Sequence, residues 1–93
     1  MMDPMSPEIV HPYVTKDETI GGDKPIIKGT RTRVSNLIAY YKLGYTPEEL
    51  KRAFPHLTLS KIYDTLSYYH ENQAQIDEEI KANKEENFIR SSE

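Results

Sequence analysis

Apolar residues follow two different rhythms along this chain, with the change near Val34. The opening stretch, MMDPMSPEIVHP, follows neither: three prolines interrupt it and no apolar spacing repeats. Residues 1–12 are therefore expected to form a disordered tail, with order beginning near Tyr13. From Tyr13 the segments YVTKDETI and KPIIKGTRTRV flank Gly21-Gly22-Asp23. Isoleucine and valine between glycine and proline punctuation predict short strands joined by turns. Gly29 breaks or kinks the strand pattern, and alternation from Thr30 to Val34 puts Arg31 and Arg33 on one face, with Thr30 and Thr32 on the other. Such a ribbon is too short to stand alone. It must lie on helices or pair with another copy.

Helical spacing takes over next. Val34, Leu37, Ile38 and Tyr41 make one apolar side of a first helix over about residues 35–43, leaving Asn36 and Lys42 to solvent. Ser35 is the expected N-cap, and Gly44 is placed to end the helix in a left-handed conformation. Thr46-Pro47-Glu48-Glu49 is a capping box with proline in the first turn. The second helix ends near Ala53, because Pro55 disfavours helical geometry at Phe54. Thr58 caps a third helix whose buried stripe is read as Leu59, Ile62, Leu66 and Tyr69. The same spacing continues through Gln73, Ile76 and Ile80, but Asn72-Gln73 weakens it. A bend or break is expected there, followed by an acidic fourth helix over about 74–86 and frayed ends in NFIRSSE. The expected organisation is a tail over 1–12, a helix-turn-helix domain with an N-terminal β arm over 13–72, and an acidic helix and tail over 73–93.

The composition of 93 residues, 37% hydrophobic and 29% charged, allows one domain with a modest core. Dimerisation is expected to supplement its stability. There is no cysteine to staple a small secreted fold, no leader-like apolar run, and no approach to the roughly 18 apolar residues of a membrane span. The expectation is a cytoplasmic protein with no membrane contact.

The net charge of −3 hides a segregation. Residues 1–23 carry −4, residues 24–61 carry +6 and residues 62–93 carry −5. A basic middle between acidic ends can meet an anionic partner, or the middle can meet the ends within one chain or across a dimer.

Reactive chemistry is hard to find. His11, His56 and His70 fall on the tail, a turn and a helix end, without metal-ligand spacing. Ser35, Ser60 and Ser67 have no nucleophile-elbow setting. Gly21-Gly22 and Gly29-Thr30 lack the Walker spacing and read as turn glycines. Asp77-Glu78-Glu79 is read as a solvated helix face. No catalytic residue, cofactor or metal is expected, and the chain is not expected to be an enzyme.

What remains is contact surface. The helices at 46–53 and 58–71 have a helix-turn-helix layout, which places its second helix in a DNA major groove. That helix's outer side is read as Lys61, Asp64, Tyr68 and Glu71, a mixed surface short of the basic and amide groups that read bases. The arm gathers Lys24, Lys28, Arg31 and Arg33 within ten residues, suited to phosphates or to the carboxylates of this protein or a partner. Tyr40, Tyr45, Tyr63 and Tyr68 exceed what so small a core can bury, and Tyr68 is the one expected to face outward.

Several motifs in fixed order then carry a resemblance. Gly22-Asp23-Lys24-Pro25-Ile26-Ile27, Lys28-Gly29-Thr30-Arg31, Gly44-Tyr45-Thr46-Pro47-Glu48-Glu49, Phe54-Pro55-His56-Leu57 and Thr65-Leu66-Ser67-Tyr68-Tyr69 resemble the Domain of Unknown Function 433 family of bacterial and archaeal proteins, over about Tyr13 to Asp77. Lys28 replaces the usual arginine, and Thr32-Arg33 replaces an Ile/Val-Pro step, adding a positive charge to the arm. The resemblance implies a mainly α, homeodomain-like helix-turn-helix bundle of three to four helices with a short β arm or hairpin. It also implies an antitoxin-like role beside a small toxin of PIN-type fold. The acidic C-terminal segment or the Arg31 arm would hold that toxin, and a dimer would bind operator DNA. Fold alone does not fix function. Two other readings stand beside this one: a DNA-binding regulator without a toxin, and a structural homodimer built by arm exchange.

Overall fold

The computed structural model describes residues 11–20 and 22–91, with side-chain surroundings as far as Lys84. Residues 1–10 of the expected tail lie outside the described residues, as do the side chains of NFIRSSE. The chain folds in the order β1 (Val14–Lys16), β2 (Pro25–Ile27), α1 (Val34–Lys42), α2 (Pro47–Ala53), α3 (Leu59–Glu71) and α4 (Gln73–Ser91). It is the mainly helical small domain with an N-terminal hairpin that the sequence predicts. α4 runs on past Glu86, where its end is expected from sequence.

β1 and β2 pair antiparallel, Val14 with Ile27, Thr15 with Ile26 and Lys16 with Pro25. β2 is buried throughout because it lies on α1 as well as on β1. Past Ile27 the chain does not continue as an alternating strand. Gly29 takes φ +81°, the left-handed region that glycine enters without a Cβ clash. Thr30 Oγ1 donates to the Ile27 carbonyl at 2.8 Å and accepts from the Thr32 N–H at 3.0 Å. These bonds close residues 28–31 into a turn. Only Arg33 pairs again, in an isolated bridge to Ile26.

The cap of α1 differs from expectation. Arg33 is the N-cap and provides no side-chain bond, while Ser35 lies inside the helix and is buried. The pairing of Arg33 with Ile26 holds that residue extended, so the helix starts earlier than Ser35 would set it. The other end is as expected: Gly44, at φ +105°, donates to the Tyr41 carbonyl and Tyr45 donates to the Tyr40 carbonyl, the Schellman arrangement.

α2 opens with the full capping box. Glu49 N–H donates to Thr46 Oγ1 at 3.2 Å, and Thr46 N–H donates to Glu49 Oε1 at 2.9 Å. Thr46→Ala is expected to lower stability by about 1 kcal/mol, read as a shifted urea midpoint with unchanged slope. No shift of the midpoint would show that water satisfies those N–H groups equally well. Phe54 leaves helical geometry before Pro55, and Thr58 caps α3 by accepting from the Lys61 N–H.

The buried stripe of α3 is Ile62, Thr65, Leu66 and Tyr69. Leu59 is a correction: it is 39% exposed. Leu57, in the preceding turn, is fully buried and fills the core at that end of the helix. Thr65 is tolerated inside because its hydroxyl donates to the Lys61 carbonyl at 2.7 Å. The expected break is at Asn72, which leaves helical geometry (φ −135°, ψ 38°). Its N–H donates to the Tyr69 carbonyl, and its own carbonyl accepts from the Ile76 N–H. α4 therefore turns back onto α1, where Ile76 and Ile80 join one core with Ile27, Val34, Leu37, Ile38, Leu50, Leu57, Ile62, Leu66 and Tyr69.

Candidate functional site

The arm's four cations separate once the chain folds. Lys24 lies 3.7 Å from Asp23 and lines a shallow concavity with Gln75, Glu78 and Glu79 of α4. Arg33 is half-buried, its guanidinium 3.9 Å from Glu79 Oε2. Both therefore sit beside the acidic helix of their own chain. Lys28 and Arg31 are exposed on the turn that follows β2. Among the described residues neither forms an ion pair. Arg31 and Arg33, placed together by sequence alternation, are not a matched pair: one is free and the other is turned towards α4.

Behind Lys28 and Arg31 lies a concavity of about 450 Å³ lined by both cations, Thr15, Asp17, Ile20, Ile26, Gly29 and Thr30. Asp17 is already engaged. Its Oδ1 accepts from the Thr19 hydroxyl at 2.6 Å and from the Thr19 N–H at 2.9 Å. Those bonds, the hydroxyl foremost, hold its carboxyl below the ordinary range. The Thr30 hydroxyl is spent on the turn's own geometry, while Lys28 and Arg31 have no ion-pair partner among the described residues.

Of the outer side of α3 read from sequence, Glu71 is exposed as expected and Lys61, Asp64 and Tyr68 are half-buried. Asp64 accepts from the Tyr13 N–H at 2.9 Å and lies 3.4 Å from His11 Nδ1. Tyr68 is half-buried against the core, with the His11 ring edge-on at 5.3 Å. Burial, followed by the charge of Glu79, pushes its hydroxyl pKa up. Tyr68 is thus a correction, because β1 and the residues before it cover this flank. His11 is likewise part of the fold, although it was assigned to the tail. Lys61 is half-buried, with its N–H in the Thr58 cap and its carbonyl accepting from Thr65. The residues left outward on α3 include Leu59, Ser60, Tyr63 and Ser67, with Tyr63 52% exposed. Position 63 lies about 100° round the helix from Ile62, on a flank of the buried stripe, and only the docked arm decides which flank stays open.

The acidic run on α4 is the third correction. Glu79 is only 6% exposed, and its Oε2 accepts from Ser35 Oγ at 2.8 Å. Its Oε1 has no hydrogen-bond partner among the described residues. Asp77 accepts from Lys42 Nζ at 2.7 Å and from the Tyr69 hydroxyl at 2.9 Å. The ammonium, then the hydroxyl, hold the Asp77 carboxyl below its usual range, and the same carboxylate raises Lys42. Burial, then the bond to Asp77, raises Tyr69. Glu78 is exposed and the Asp77 side chain keeps 38% of its surface open, so only Glu79 of the three is buried. Sequence reading missed Ser35, Glu79 and Asp77 as one seam between α1 and α4; the basic α1 flank and acidic α4 were the available signal.

An aromatic corner completes the surface. Tyr40 meets Tyr45 and Phe54 edge-to-face at 5.2 and 5.3 Å. Tyr40, Leu43 and Tyr45 remain exposed beside it. Among the described residues no three His, Asp or Glu side chains gather as metal ligands, and no helix is long and apolar enough to cross a membrane.

Residues 14–69 match the family described as "Protein of unknown function (DUF433)". A crystal structure of a DUF433 member protein from Anabaena variabilis ATCC 29413 is similar at 32% identity, with a TM-score of 0.66, covering 73% of this chain and 67% of that one. No curated protein matches.

Proposed function

This chain belongs to the DUF433 family, and on that premise we propose that it is a non-catalytic, antitoxin-like module of the cytoplasm that holds a protein partner through its β arm. One observation carries this reading: among the described residues Lys28 and Arg31 stay exposed and without an ion pair, while Arg33 lies 3.9 Å from Glu79 of α4 and Lys24 lies 3.7 Å from Asp23. An arginine fork suits paired carboxylates. A small nuclease of PIN-type fold, with clustered acidic residues, is the partner the family resemblance suggests. The non-catalytic reading rests on the commitment of the carboxylates: Asp64, Asp77 and Glu79 are each bound into the fold.

The test is coexpression with the product of a neighbouring short reading frame, followed by purification of the pair. Lys28→Ala/Arg31→Ala is expected to weaken the complex by at least tenfold, with the thermal melt unchanged because both side chains are exposed. A neighbouring product that never copurifies, or a complex indifferent to both substitutions, removes the proposal.

A second ligand, operator DNA bound by a dimer, is favoured by the α2–turn–α3 layout, with Arg52 exposed on α2. The outward side chains Leu59, Ser60, Tyr63 and Ser67 carry no cation, so this reading ranks second. It requires affinity that falls steeply with salt; a flat response ends it.

A further inference from the structure

We propose that the concavity behind Lys28 and Arg31 is a side-chain socket, and that its occupant is an acidic segment of the protein partner that inserts one aliphatic residue between its carboxylates. The inference rests on the partner reading above and adds what the partner must carry.

A bare anion site would be polar throughout. This one is not. Ile26 is almost fully buried at its base and Ile20 is half-buried beside it, so the wall behind the cations is apolar. Its volume of about 450 Å³ is open to solvent on one side and lies within the ~300–1,000 Å³ range of small-molecule sites. The Thr30 hydroxyl is engaged by the turn and Asp17 Oδ1 by Thr19; the Asp17 carboxylate keeps its charge, so two cations stand against one anion and the site stays net positive. Among the described residues that leaves the Thr15 hydroxyl and two cations for a ligand, the Lys28 ammonium and the Arg31 guanidinium, and both cations attract carboxylates. A phosphate would meet the cations but gain nothing from the isoleucines. A wholly apolar segment would leave the two charges without a counterpart. An apolar side chain flanked by carboxylates satisfies both.

The experiment uses the full chain with two labelled, end-blocked peptides of equal charge, Asp-Glu-Leu-Glu-Asp and Asp-Glu-Gly-Glu-Asp. Binding is followed by fluorescence anisotropy and by amide shifts in two-dimensional NMR. The leucine peptide is expected to bind about tenfold tighter, as partial burial of one leucine side chain predicts. The largest amide shifts should fall at Ile20, Ile26, Gly29 and Thr30. Ile20→Ala should erase most of the difference between the peptides, whereas Lys28→Ala/Arg31→Ala should weaken both alike. Because shift mapping uses the unsubstituted protein, the result does not depend on Ile20→Ala folding. Equal affinity of the two peptides, shifts elsewhere, or displacement by inorganic phosphate at the same charge concentration would overturn the socket. Equal peptides together with a copurified partner lost on Lys28→Ala/Arg31→Ala would sink this inference alone. Discriminated peptides with no partner recovered would sink the neighbouring-gene partner and leave the socket's preference for an aliphatic residue between carboxylates.

Discussion

Ile76→Ala is expected to lower stability by about 2–5 kcal/mol, the range for truncating a fully buried isoleucine. At about 4–8 °C per kcal/mol for a domain of this size, the melting temperature should fall by at least ~8 °C. Ile76 lies one turn past Asn72, where the chain turns back, and its side chain enters the core shared with Val34, Leu37 and Ile38. α4 is otherwise a poor helix to bury, being acidic and largely polar. Its attachment therefore rests on few apolar groups, Ile76 and Ile80 foremost. Urea unfolding followed by circular dichroism checks the prediction. A loss below about 0.5 kcal/mol, the level of an ordinary surface substitution, would mean that α4 is an appendage and not part of the core.

Ser35→Ala is expected to cost about 1–3 kcal/mol, far more than the loss of an ordinary serine hydroxyl. The Ser35 hydroxyl is the only group within hydrogen-bonding distance of the buried Glu79 carboxylate among the described residues, since Arg33 stands 3.9 Å away. Removing the hydroxyl leaves the buried carboxylate without its one hydrogen-bond donor among the described residues, and that desolvation is not recovered. Replacing both partners has a different expected result. Ser35→Ala/Glu79→Met removes the polar pair together and should regain most of the stability, because well-packed apolar groups often match or exceed a buried polar pair. The double-mutant cycle should report a coupling of at least ~1 kcal/mol. Independent, additive losses would show that Glu79 finds another donor when Ser35 is gone.

The helices and most of their limits were readable from the chain alone, and so was the family; the start of α1, set by the pairing of Arg33 with Ile26, and the end of α4 past Glu86 were not. Thr46-Pro47-Glu48-Glu49, Gly44, Pro55 and Asn72 fix where helices begin, stop and bend through backbone sterics and bonds spanning five residues or fewer. The β arm and its four cations were equally visible as a motif. Which of those cations would remain free was not, because the answer depends on where α4 returns. Leu59 was misplaced for a similar reason: periodicity assigns a face, but Leu57 had already filled the space beneath it.

Sequence by itself determined the local elements and the excess of positive charge in the middle of the chain. The tertiary structure decided which polar groups are used up. Ser35 meets Glu79 across 44 positions, His11 meets Asp64 across 53, and the Tyr13 amide meets the same carboxylate across 51. No short-range rule couples residues so far apart. Their pairing follows from packing α4 and β1 against the bundle, which draws Arg33 towards Glu79 and leaves Lys28 and Arg31 facing out.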